Sequence, residues 1–165
     1  MTPDLWLNVA GMVKGTREVV GKGSNPLILQ WARDIAAPAW YDDDDKAWCA
    51  VLVNKVHQVC GLPLAGSGYD LLRAKSFLSW GDPLSTPLWG CVMVFTRDGG
   101  GHVGWLVGQS PTAYLIRGGN QGNAISDVWI ARERLAMARW PTGVPLGGPA
   151  PTLVTPKTPT SRDEA

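Results

Sequence analysis

The stretch WCAVLVNKVHQVCGLP, residues 48–63, decides the fold. Trp48, Leu52, Val56 and Val59 recur at helical spacing and make one apolar stripe, while Asn54, Lys55 and Gln58 fall on a polar arc. Gly61 and then Pro63 end the run, so the spacing predicts a helix over 48–60 with Cys49 in its first turn. Working outward, residues 3–13 and 26–35 show the same periodicity, the second through Leu27, Ile28, Trp31 and Ile35. Glycines 15, 21 and 23 break the chain between them. A shorter helix is expected over 70–80, stopped by Gly81. Beyond it the period changes. Residues 91–96, 102–107, 112–117 and 125–130 are short, rich in β-branched side chains and bounded by Gly or Pro, which predicts strands. Helices first and strands afterwards imply an α+β domain with N-terminal helices packed on an antiparallel sheet.

The 165 residues suffice for one domain with a sizeable core. Residues 1–141 are read as that domain. Residues 141–165 hold six of the 13 prolines and almost no large apolar side chains, so 142–165 is expected to be a disordered tail. The formal charge is only +1, which argues against nucleic acid as a partner. No apolar run approaches the roughly 20 residues of a membrane span. The first residues lack a basic segment followed by an unbroken apolar one, so no secretory signal is expected. Cys49, Cys60 and Cys91 are odd in number and lack CxxC spacing, which speaks against a disulfide framework or structural zinc. No cofactor and no metal is expected. Gly99, Gly101 and Gly104 fit GxGxxG formally, but they precede a strand and carry no nucleotide-binding expectation. The run Asp42–Asp45 lacks the spaced ligands and glycine turn of a calcium loop, and is expected to interact with the N-terminus of the following helix.

Cys49 is the first candidate for chemistry. A helix N-terminus presents unsatisfied N–H groups and partial positive charge that lower a thiol's pKa; the plainer alternative is a small buried side chain sharing a face with Val53, Val56 and Cys60. A thiol nucleophile needs a base. His57, eight residues along the same helix and so about 12 Å away, is too far and is read as a solvated surface residue. His102 follows Gly99, Gly100 and Gly101 at the start of a strand, where a general base would be uncrowded; it is otherwise a hydrogen-bonded structural histidine. The imidazole of such a pair needs a third polar group. A turn near 109–111 would set His102 opposite about Arg117, and Gly118 and Gly119 would then let Asn120 or Gln121 bend back toward the ring. Asn120 is the first choice, against the alternative of a simple turn residue. Nine tryptophans are several times the usual share. Trp48, Trp80 and Trp105, with Gln121, are candidates to line a substrate groove, where aromatic faces pack on sugars and peptide stems.

The ordered strings GTREVVGKGSNPLILQW (15–31), WCAVLVN (48–54), AKSFLSWG (74–81), GHVGWLVG (101–108), GGNQGNAI (118–125) and ARWP (138–141) resemble the small phage-associated branch of the CHAP and NlpC-like cysteine peptidases. The resemblance spans about residues 3–141. It departs from the family at Val51 and at Ala47, neither of which removes a catalytic group. It implies a papain-like fold and bacterial peptidoglycan as substrate. Cys49 matches the nucleophile, His102 the base, and Asn120 the third member of the catalytic set. The expected activity is cleavage of a stem-peptide amide by an endolysin or virion-associated lysin. Such an enzyme would reach the wall or periplasm through a holin, or be carried with phage tail components. An injected antibacterial amidase, or a non-catalytic wall-binding or virion module of the same fold, are the alternatives.

Overall fold

The structure is a computed structural model and describes residues 1–154 and 161. Three helices come first: α1 (Pro3–Met12), α2 (Pro26–Asp34) and α3 (Cys49–Val59). Proline opens α1 and α2, where its missing N–H costs nothing, and the Asn25 side chain caps α2 by accepting from Leu27 N–H at 2.9 Å. The helix expected over 70–80 is two 3₁₀ helices, Gly68–Leu72 and Ala74–Ser79. Six strands follow: β1 (Asp82–Leu84), β2 (Val92–Arg97), β3 (Gly100–Gln109), β4 (Ala113–Gly118), β5 (Ser126–Ala131) and β6 (Leu135–Trp140). They form one antiparallel sheet in the order β1-β6-β2-β3-β4-β5. The chain is therefore α+β.

Sequence periodicity misses the two strands β1 and β6. Proline occupies the middle of β1, a three-residue edge strand whose outer side needs no donor. β6 carries Arg139 inward at its end, where the guanidinium donates to the carbonyl oxygens of Trp80 and Gly81, the latter at 2.7 Å. A buried arginine interrupts the alternation by which a strand is read.

The helix α3 differs from its predicted amphipathic form because it is enclosed on nearly every side, by α1, α2, the first 3₁₀ helix, β3 and β4. Asn54 is buried. Its side chain donates to Leu71 O at 3.0 Å and accepts from Ala65 N–H at 2.9 Å, pinning the 61–72 segment to the helix. Val59, by contrast, is exposed. His57 is not a surface residue either: it is 1% exposed, stacked on Trp80 at 4.6 Å and edge-on to Phe77 and Trp105. Burial drives its pKa down to about 3, so the ring is neutral in the folded protein. All three cysteines are free and buried, and burial pushes the Cys91 thiol up to about 12.

The segment expected to be a disordered tail is anchored as far as its residues are described. Trp140 Nε1–H donates to Val144 O, Trp89 N–H to Gly148 O and Gln109 N–H to Pro151 O, while Leu153 N–H returns to Gln109 O at 2.8 Å. Ala150 is buried in the core. Prolines have no N–H to satisfy, so a proline-rich strip can lie along the domain with few donors left over. Residues 155–160 and 162–165, covered by the same expectation, lie outside the described residues. Among the described residues no helix is long and apolar enough to cross a membrane.

Two outcomes follow from this packing. A chain ending at residue 146 loses the hydrogen bonds of Gly148, Ala150, Pro151 and Leu153, which is about 2 to 4 kcal/mol at ordinary values. Its melting temperature should fall by roughly 5 to 15 °C in a thermal scan; an unchanged value contradicts the anchoring. For His57, the folded pKa of about 3 lies below the unfolded value near 6.5. Between these values the unfolded chain binds the extra proton, so stability falls as pH drops, by at most about 1.4 kcal/mol per unit from this group. Urea unfolding at pH 7.0, 5.5 and 4.5 should show a shallower loss in His57→Phe than in the wild type.

Candidate active site

Cys49, His102 and the 118–121 segment arrive from three elements. Cys49 opens α3, directly after Trp48, whose ring is fully buried. His102 lies on β3 opposite Phe95 of β2. The hairpin joining these strands turns at Asp98-Gly99, with Arg97 paired to Gly100 and Gly99 at φ 74°. An Asp-Gly pair between strands suits such a two-residue turn. The β3–β4 register differs from the expected one by three residues. Trp105, not His102, faces Arg117, because the turn reaches Ala113 and an irregularity sits between Leu106 and Gly108. β3 therefore runs past the end of β4, and His102 sits beside the loop that leaves β4 after Gly118.

That loop is shaped by two close approaches. A Cβ on Gly118 would stand 2.8 Å from Gln121 Oε1 and 3.2 Å from His102 Nε2; one on Gly119 would stand 2.7 Å from the Trp48 ring. Both positions need glycine. Asn120 then takes a left-handed conformation, φ 58°, and Gln121 N–H closes the turn on Ala124 O at 2.9 Å. The Gln121 side chain reaches the imidazole, its Oε1 3.0 Å from His102 Nε2, and Asn120 supplies the turn that delivers it. The pattern Gly-Gly-Asn-Gln carried this choice, but only the turn geometry separates the two amides.

Gln121 also fixes which ring nitrogen carries the proton. Its Nε2 donates to Ser126 O at 2.7 Å and to Ile116 O at 3.3 Å, so its Oε1 must be the atom facing the ring. An acceptor opposite Nε2 requires Nε2–H. In the neutral ring the lone pair is then at Nδ1.

The sulfur of Cys49 lies against the backbone of Val103, the residue after His102. Cys49 is 3% exposed, and burial pushes its thiol above the ordinary range; the N–H groups of Val103 and Ala50 and the Arg97 guanidinium pull the other way. The helix N-terminus thus does not by itself create a thiolate, contrary to the expectation from sequence. His102 precedes Val103 on the neighbouring strand β3. Cys49 borders a cleft of about 270 Å³ whose walls include Ala47, Tyr69, Arg73, Lys75, Arg97 and Gly99–Gly101.

The expected groove residues fare differently. Trp48 and Trp105 are fully buried and Trp80 is 6% exposed, so none offers a ring face to a substrate in the Cys49 cleft. Trp48 donates Nε1–H to Glu18 Oε2 at 3.1 Å, and Trp80 donates to Pro63 O at 2.8 Å. Trp80 borders a separate cleft of about 350 Å³ with Leu64, Asp70, Ser76 and Ser79. Gln121 holds the histidine instead of lining a groove. Glu18 was not singled out from sequence, although it stands inside GTREVV. Its loop pairs with the back of the 118–125 loop, through Glu18 N–H to Asn123 O and Ile125 N–H to Thr16 O.

The acidic run contacts a different helix from the one expected. Buried Asp44 accepts through Oδ2 from Val19 N–H at 3.0 Å and Asn25 N–H at 2.7 Å, at the entry to α2, while α3 has no side-chain cap. Carboxylate oxygens of Asp43, Asp44 and Asp45 lie within 4.8 Å of one another, with Asp44 Oδ2 already taken by two backbone N–H groups. No family model, curated protein or solved structure matches the chain.

If Gln121 orients the imidazole, Gln121→Leu should slow alkylation of Cys49 by iodoacetamide at pH 7 about 10- to 100-fold. Asn120→Gly, which keeps the left-handed turn, should slow it by less than about threefold. Mass spectrometry of the labelled Cys49 peptide over time measures both. Equal losses in the two variants would assign the effect to the loop's shape and not to the amide facing the ring.

Proposed function

We propose that this chain is a papain-like thiol amidase that cleaves an amide bond in the stem peptide of bacterial peptidoglycan, as a phage endolysin or virion-associated lysin. One contact supports the enzymatic reading above the rest. Gln121 Oε1 faces His102 Nε2 at 3.0 Å while its own amide nitrogen is held by two backbone carbonyls, and the backbone of the residue after His102, Val103, meets the Cys49 sulfur at the start of α3. A purely structural histidine has no need of a neighbour locked into one orientation next to a thiol that borders an open cleft. The order WC, GHVG and GGNQ along the chain supports the choice of wall peptide as substrate.

The chemistry runs in two halves. His102 Nδ1 takes the proton from Cys49 Sγ, and the sulfur attacks the amide carbonyl carbon. Charge forming on the carbonyl oxygen is met by backbone N–H groups at the start of α3, where the first turn has donors without helical acceptors. The imidazolium gives its proton to the leaving nitrogen, the C–N bond breaks, and a thioester remains on Cys49. Water then attacks the thioester carbon with His102 as base, releasing a carboxylic acid and restoring the thiol. Gln121 accepts from Nε2–H throughout and stabilises the imidazolium that forms between the steps.

Cys49→Ser should abolish release of soluble peptides from purified peptidoglycan, to below about 1% of wild type, since the hydroxyl is far less acidic than the thiol. Cys60→Ala and Cys91→Ala should retain release within a fewfold. Mass spectrometry of the released fragments identifies the bond that is cut. Wild-type protein that releases nothing from any wall preparation, while its Cys49 is reactive, would direct the reading to another amide substrate. An unreactive Cys49 would favour the non-catalytic module.

A further inference from the structure

The cleft beside Cys49 is markedly cationic. Arg73, Lys75 and Arg97 all line it, and no carboxylate does. Of the three, only Arg73 has an ion-pair partner among the described residues, Asp70 at 3.9 Å, and its guanidinium also lies 5.6 Å from the Tyr69 ring. Lys75 is exposed, on the 3₁₀ helix Ala74–Ser79, and the carbon chain of its side chain runs beside Gly101. Arg97 is held at the end of β2 by the Asp98-Gly99 turn, opposite Gly100. Its Nε is shielded from solvent and has no hydrogen-bond acceptor among the described residues. Its charge is also felt at the Cys49 sulfur. A buried guanidinium N–H without an acceptor is costly, and a charged one more so. An anionic group entering the cleft would supply that acceptor.

We infer that the Cys49 cleft is built for acidic peptide amides, substrates carrying a free carboxylate close to the scissile bond, with Arg97 and Lys75 as its principal partners and Arg73 at the rim. This rests on the thiol-amidase reading above and names its substrate class. Guanidinium and carboxylate match in a planar pair, so Arg97 would set position as well as charge, and Lys75 would act as a point charge. A stem peptide with a free carboxyl meets this description, and one with that carboxyl amidated does not. The carboxylate would add to the environment of Cys49 a negative charge already balanced by Arg97, leaving the proton transfer to His102 unopposed.

Two measurements separate this inference from the proposed function. The first needs no wall substrate: the alkylation rate constants of Cys49 with iodoacetate and iodoacetamide, taken as a ratio. The anionic reagent should gain in wild type, and the ratio should fall roughly fivefold or more in Arg97→Gln and in Lys75→Gln, recover in Arg97→Lys, and decline in wild type as salt rises from 20 to 500 mM. Lys75 is exposed, so its variant keeps the test valid if Arg97→Gln does not fold. A ratio insensitive to both substitutions and to salt overturns the inference, whether or not the protein cuts cell wall. The second compares stem peptides differing only in a free or amidated carboxyl. The free form should have the higher kcat/KM, with the preference reduced in Lys75→Gln, mainly through KM; equal rates overturn the inference. If the alkylation ratio behaves as expected and no wall peptide is cleaved, the acidic-ligand cleft stands and the wall substrate falls.

Discussion

The indole of Trp48 is the contact on which the site depends. Its ring lies against Gly119, its N–H is held by Glu18, and its neighbour in the chain is Cys49. One side chain therefore fixes the start of α3 against the loop that brings Gln121 to His102, and both against the N-terminal 15–25 loop. Because the ring is fully buried and faces a position where even a Cβ would clash, the distance between helix start and loop has almost no freedom. Asp44 extends the same clamp, holding Val19 and Asn25 from the other end of the loop that contains Glu18.

A thiol placed this way is caught between opposing effects. Desolvation favours the neutral form, and the local N–H groups with Arg97 favour the anion; burial prevails. Two carbonyls orient Gln121 in turn: Ile116 and Ser126 fix the amide nitrogen, so the amide oxygen faces His102 Nε2.

The α+β order, the three helices and four of the six strands were legible because each rests on local period or on residue type. What was not legible depends on neighbours distant in sequence. His57 and Asn54 look polar on a helical wheel, and their burial is decided by Trp80 and by the Leu71 and Ala65 backbone. Asn120 and Gln121 were both in view, and the choice turned on a left-handed φ and on a three-residue shift in register produced by a longer turn and an irregularity in β3. The strip from 142 to 154 has the composition of a disordered tail, yet its carbonyls and a few N–H groups find partners at Trp89 and Gln109.

The tryptophans carry one further step. Three of those near the site were expected to greet a substrate with their faces, but they are consumed in the core, where each N–H that bonds is directed at a carbonyl or carboxylate of the chain itself, as in Trp6 to Gly90 O and Trp80 to Pro63 O. The cleft is left with Tyr69 and Leu72 beside glycines, small side chains and cations as its walls. Charge and hydrogen bonding act most strongly where water is thinned out, as it is beside the buried sulfur. The hairpin that places Arg97 also lines up Gly99, Gly100 and Gly101. A single turn therefore sets Arg97 and the three glycines together on the wall of the cleft that Cys49 borders.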